Sequence, residues 1–203
     1  VDMDMMSFGY VQYVKALVDE GKIKAETIDN AVRNILKLKF RLGLFENPYV
    51  DESLARQVAY APEHLAAAKQ SAVESAILLQ NNNDVLPLKS AKRILVTGPM
   101  ADAPYDQLGT WAFDGEEAYT VTPLTALRKD YEVVYEPALA YSRDASTAGI
   151  PAAVAAARGV DAVVAFVGEE AILSGEAHSL SQINLQGAQS ELIKALKASG
   201  KPV

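Results

Sequence analysis

An α/β fold built on a doubly wound, mostly parallel sheet is predicted by three observations. Short apolar runs suited to buried strands recur at Arg93–Thr97, Glu132–Glu136 and Ala162–Val167. Segments with helical spacing, Pro123–Lys129 and Ile150–Arg158, lie between them. The third run then empties into a polar loop carrying Glu169, Glu170 and Glu176 before a last helical pattern begins. Val163–Val167 shows no polar alternation, as expected of a strand covered on both faces. A parallel sheet with right-handed crossovers is the economical way to join such pieces.

The elements that precede the sheet are helical. Tyr10–Asp19 and Ala25–Leu42 carry apolar residues near the helical period, the second through Ile28, Val32, Ile35, Leu36 and Leu38, and Gly43 supplies a stop. Pro48 and the polar run Asp51–Arg56 read as a linker. An alanine-rich helix follows over His64–Ala76, and then ILLQNNNDVLPL, in which Asn81, Asn82, Asn83 and Asp84 form a turn between two apolar runs. After the first strand, Gly98 and Pro99 do not make a phosphate loop, because neither GxGxxG nor a Walker lysine is present. In the last helix, Gln189–Ala198, the residues Leu192, Ile193 and Leu196 share one face.

In open α/β folds ligands collect outside the carboxyl ends of the strands. Here that position belongs to Gly168, Glu169, Glu170 and the loop Ser174–Ser179, which make it the first place to look for chemistry.

Composition narrows the classes. The chain has 203 residues, half of them hydrophobic, and a formal charge of −7. That charge opposes nucleic acid binding and suits neutral substrates. With no cysteine and only His64 and His178, neither disulfides nor a histidine or thiolate metal cluster is expected, and no cofactor is implied. No membrane span is visible in the sequence.

The segment VVAFVGEEAILSGEAHSLSQINLQGAQ resembles glycoside hydrolase family 3, the β-glucosidase family, in which a strand ending in VGE leads to a loop glutamate and an LPG-Q helix start. The resemblance extends along the chain. VDMDMM is similar to the end of the eighth strand of the family's catalytic barrel, AVRNILKLKFRLGLFENPY to the barrel exit, and ILLQNNNDVLPL to the LLKN-LPL signature. GPMADAPYDQLGTWAFDG is similar to the GP-AD and LG-W stretch at the rim of the sugar pocket. This chain departs from the pattern at Gln80, where the family has lysine, at Gln186, where it favours proline, and at Ser179–Gln182, where arginine and aspartate are usual.

The resemblance implies three regions. Residues 1–48 are the C-terminal part of a TIM-like (β/α)8 barrel, and 49–91 a linker with a helix and a strand. Residues 92–203 are an α/β sandwich carrying the acid/base loop, truncated at its C-terminus. The chain therefore reads as a piece of a longer polypeptide, inert by itself. The implied activity is retaining hydrolysis of terminal β-D-glucosyl residues by two carboxyl groups. Glu176 fits the general acid/base, and the nucleophile, an aspartate of an SDW-like motif, is expected in a preceding segment.

Glu169 fits the VGE glutamate, read as a loop-anchoring carboxylate near the substrate. Met3 or Met5 would touch the sugar or else pack at the strand end. Trp111 would stack on a sugar face or else pack its loop, and His178 would contact the sugar or hold the loop. A proton donor at Glu176 must keep its proton at working pH, which requires a partly desolvated setting. The implied partners are a β-glucoside or oligosaccharide and the barrel segment of the same protein, with a homodimer left open and a periplasmic or secreted location. Within the enzyme class a β-xylosidase or N-acetylglucosaminidase stays open, and outside it a noncatalytic sugar-binding module or a flavodoxin-like domain.

Overall fold

RILVT, at Arg93–Thr97, forms the central strand β1, and four of its five residues are buried. The computed structural model describes residues 1–203, the Arg56 side chain excepted. Strand β1 pairs in parallel with β2 (Glu132–Glu136) on one side and with β3 (Ala162–Ala165) on the other, giving the order β2-β1-β3. Side chains alternate across a strand, so β1 feeds two cores. Leu95 joins Val163, Ile150, Ala153, Ala157, Leu192 and Leu196 on the face covered by α7 (Ile150–Ala157) and α8 (Gln189–Ala198). On the opposite face Ile94 and Val96 join Ala101, Ala162 and Leu124 of α6 (Pro123–Leu127). Helices on both faces of a parallel sheet are the expected doubly wound arrangement.

The chain divides into two units, Val1–Leu78 and Leu79–Val203. The first holds α1 (Gly9–Asp19), α2 (Ala25–Arg41), α3 (Glu52–Val58) and α4 (Pro62–Ser75). No residue of α1, α2 or α4 is buried, and the stripe Val32, Leu36, Phe40 on α2 is exposed. No described helix is long and apolar enough to cross a membrane.

Three expectations differ from the structure. The polar run at Asp51–Arg56 is not a plain linker but enters α3, because the Asp51 side chain accepts a hydrogen bond from the Ser53 backbone N–H at 2.9 Å and so caps the helix. No strand forms among the described residues 49–91; Ile77, Leu78 and Leu79 are exposed, with no neighbouring strand to pair them. Strand β3 ends at Ala165 rather than Val167. At the next residue Phe166 N–H still donates to Thr97 O of β1 at 2.9 Å, but its carbonyl accepts from Met100 N–H, in the loop after β1, at 3.2 Å. That approach requires Gly98: its φ is +91°, and a Cβ there would stand 2.2 Å from Phe166 O.

Candidate active site

At the sheet's carboxyl edge β1 leads on to α6 on one face and β3 to α8 on the other, the kind of crevice in which doubly wound domains hold ligands. The segment from Gly168 to Gly187 starts here and returns to the sheet through α8, with Glu176 exposed near its middle. Both ends are fastened by buried polar groups.

Gln189 closes the loop at both ends. This residue has no exposure to solvent. Its Oε1 accepts from Gly168 N–H at 2.9 Å, while Nε2 lies 2.8 Å from Ser142 O, 2.9 Å from Gly168 O and 3.1 Å from Gln186 O. One side chain thereby joins the exit of β3, the loop after β2 and the entry to α8. Just ahead of it, Gly187 adopts φ +59°, and a Cβ would meet Asp144 O at 2.5 Å. Ala188 N–H donates to the same carbonyl at 2.8 Å.

The carboxylate that anchors the loop is Glu170. The Ser142 hydroxyl donates to Glu170 Oε2 at 2.7 Å, and Arg143 Nε donates to the same oxygen at 3.0 Å. Sequence reading gave that role to its neighbour Glu169, which is exposed. The hydrogen bond from Arg143, more than that from Ser142, holds the Glu170 carboxyl below the usual glutamate range, against the opposing effect of burial. Asp144, held down by the Ala140 and Ser146 backbone N–H groups, and Asp161, held down by those of Arg93 and Lys92, shift the same way.

A carboxylate with a depressed folded value adds stability that is fully present above its unfolded value, about 4.3 for glutamate, and is lost as pH falls through the folded value. The thermal midpoint should therefore fall on acidification below about pH 4.5. Glu170→Gln should flatten part of that fall, leaving the contributions of Asp144 and Asp161, as a pH series of melting curves would read.

The loop after β1 reaches the same rim. In α5 (Pro104–Leu108) the Asp106 Oδ1 accepts from Ala171 N–H at 2.7 Å, and Thr110 Oγ1 lies 2.6 Å from Ala171 O and 3.1 Å from Ser174 O. Trp111 follows at once, 59 % exposed, with its ring edge-on to Phe113 at a centroid separation of 6.2 Å. His178 folds back over Gly175, its backbone N–H donating to Gly175 O at 3.2 Å. The second unit thus gathers Glu169, Glu176, His178 and Trp111 on segments that are bonded to one another. Met3 and Met5 belong to the first unit, where they are 55 % and 77 % exposed. From sequence, Glu170 was named only as one of the carboxylates at the end of the third strand, and Gln189, Asp106 and Thr110 were given no role. The signal for Gln189 was the glutamine of the LPG-Q pattern.

Residues 76–203 match the model of the glycosyl hydrolase family 3 C-terminal domain. The chain belongs to glycoside hydrolase family 3. Its relatives in the family include a periplasmic beta-glucosidase of Salmonella typhimurium, 33 % identical over all of this chain and 30 % of that protein. A putative beta-xylosidase of Formosa agariphila is also 33 % identical, over all of this chain and 27 % of that protein. A beta-glucosidase from Listeria innocua, solved in complex with glucose, superposes on all of this chain and 28 % of its own with a TM-score of 0.89 at 37 % identity. This family 3 chain therefore spans under a third of the length of these relatives. Its mostly parallel α/β sheet agrees with the family's C-terminal α/β domain.

Proposed function

We propose that this chain supplies the general acid/base of a retaining β-glycosidase acting on terminal β-D-glucosyl residues. The observation that carries the reading is Glu176, an exposed carboxyl midway along a loop whose two ends are fixed by the buried Gln189 and by Glu170. A proton donor must be placed with little freedom relative to the bond it cleaves, and a loop anchored at both ends to a sheet provides this. In the first step a carboxylate from another segment attacks the anomeric carbon while Glu176 gives its proton to the departing oxygen. In the second, Glu176 takes a proton from the water that displaces the enzyme carboxylate, restoring both groups.

Residues 1–48 are read as the close of a (β/α)8 barrel, residues 49–91 as the connection and 92–203 as the acid/base domain. The nucleophile, an aspartate in an SDW-like setting, belongs to a preceding part of the polypeptide. Met3 or Met5 would line the sugar pocket, with Trp111, Glu169 and His178 around it. The 59 % exposure of Trp111 favours stacking on a pyranose over a purely packing role. The relatives called periplasmic beta-glucosidase and lysosomal beta glucosidase support a location outside the cytoplasm. Xylose is the second sugar to consider, because Formosa agariphila relatives are named beta-xylosidases.

The test is turnover by the full-length polypeptide of aryl β-glucosides and β-xylosides, with the first-formed anomer followed by NMR. Faster release of β-glucose with retained configuration is expected. Inverted configuration, or no turnover of either sugar, overturns the reading.

A further inference from the structure

We propose that Thr110 is a positioning residue for Glu176, and that it acts through the backbone of residues 171–175; this rests on reading Glu176 as the acid/base. Glu176 is exposed, so its own environment does not fix it. What fixes it is the chain just ahead. Ala171, only 8 % exposed, opens a short 3-10 turn over Ala171–Leu173, and both of its backbone polar groups are taken by side chains from one short stretch. Asp106 Oδ1 accepts from its N–H at 2.7 Å, and the Thr110 hydroxyl donates to its carbonyl at 2.6 Å.

The same hydroxyl stands 3.1 Å from Ser174 O, so one hydrogen is shared between the carbonyls that begin and end the turn. The Thr110 methyl stands beside the glycine that precedes Glu176. A Cβ added to Gly175 would crowd Thr110 Cγ2 and His178 Cδ2, each at 3.2 Å, and its φ of +132° already favours glycine, so the chain next to Glu176 fits against Thr110 only without a side chain. The arrangement also couples the Trp111 loop to the Glu176 loop, because Thr110 immediately precedes the indole.

The two parts can be separated by leaving-group chemistry. An acid is needed when the departing oxygen is basic and dispensable when it is a dinitrophenolate, and kcat/KM reports the first step in both cases. In the full-length polypeptide, Thr110→Val keeps the shape and removes the hydroxyl. It should lower kcat/KM for phenyl β-glucoside about tenfold, while the 2,4-dinitrophenyl glucoside changes by no more than about twofold. Thr110→Ser, which keeps the hydroxyl, should recover most of the phenyl glucoside rate, and Thr110→Ala gives the same reading as valine should the valine variant fail to fold.

Equal losses on both substrates, or none on either, overturn the positioning role when Glu176→Gln itself discriminates between them. If Glu176→Gln does not discriminate, the acid/base reading falls and the positioning role falls with it. Hydrogen exchange at residues 171–176 then records whether the grip of Thr110 on the turn persists as a purely structural contact.

Discussion

Glu176→Gln in the full-length polypeptide should lower kcat/KM for phenyl and alkyl β-glucosides by about 10² to 10⁴, leaving 2,4-dinitrophenyl β-glucoside far less affected. The amide has the carboxyl's shape but no proton of comparable acidity. Only the substrate whose leaving oxygen needs that proton should suffer in the first step. For the activated substrate the second step becomes slow, because water loses its base, so kcat falls and KM falls with it. Added azide should restore kcat of the activated substrate, since this anion attacks without general base help. The measurement is a steady-state series over leaving groups with and without azide. Equal losses across the series would remove Glu176 from the role and leave the loop as a rim feature.

Gln189→Leu should cost the protein about 3 kcal/mol or more of stability, read by denaturant unfolding and by hydrogen exchange at the Gly168 amide. Leucine matches the glutamine in size but has no polar atom. It strands Gly168 N–H together with the carbonyls of Gly168, Ser142 and Gln186, all now served by one buried amide. An unpaired buried backbone group costs about 1–3 kcal/mol, and the Ser142 carbonyl belongs to a residue with no solvent exposure, where water cannot replace the amide. Gln189→Glu should be no milder, because a carboxylate can accept from Gly168 N–H but repels the three carbonyls and brings a charge into a buried position. An unchanged midpoint and unchanged exchange at Gly168 would show that the amide network carries no energy.

The regular elements were legible because each rests on a local pattern. β1, β2 and α8 were read with the bounds the structure has, from apolar runs and helical spacing at Arg93–Thr97, Glu132–Glu136 and Gln189–Ala198. Helix α3 was missed because its seven residues give only one apolar pair at helical spacing, Leu54 and Val58, inside a polar run; its signal was that pair with the Asp51 cap and Ser53 two residues on. The end of β3 was placed too late because Phe166 and Val167 continue the hydrophobicity past the last paired residue, where the Phe166 carbonyl faces the Gly98 turn instead of a strand.

At the site, the residue types were legible and the connections were not. Glu169 and Glu170 are neighbours with equal propensities, and only the arrival of Ser142 and Arg143 from a distant loop selects the second as the anchor. Gln189 looked like an ordinary first residue of a helix. Its burial arises where three segments meet, which no window of sequence contains. Thr110 and Asp106 escaped for the same reason, since their partners lie more than 60 residues away.

The central place of β1 has a consequence for how the domain comes into being. Its partner β2 follows after the short helices α5 and α6, whereas β3 arrives only after α7 as well; the bond from Arg93 N–H to Asp161 Oδ2 closes a separation of 68 residues. Pairing across such a distance raises the contact order and slows folding. On a ribosome, which delivers chains from the N-terminus onward, β1 and β2 can join early with one edge of β1 still bare. That edge is covered only once β3 has emerged, and the loop that bears Glu176 is latched only when Gln189 follows. Glu176 is therefore among the last parts of this segment to be set in place, and a nascent chain stalled before residue 160 is a species for chaperones to shield.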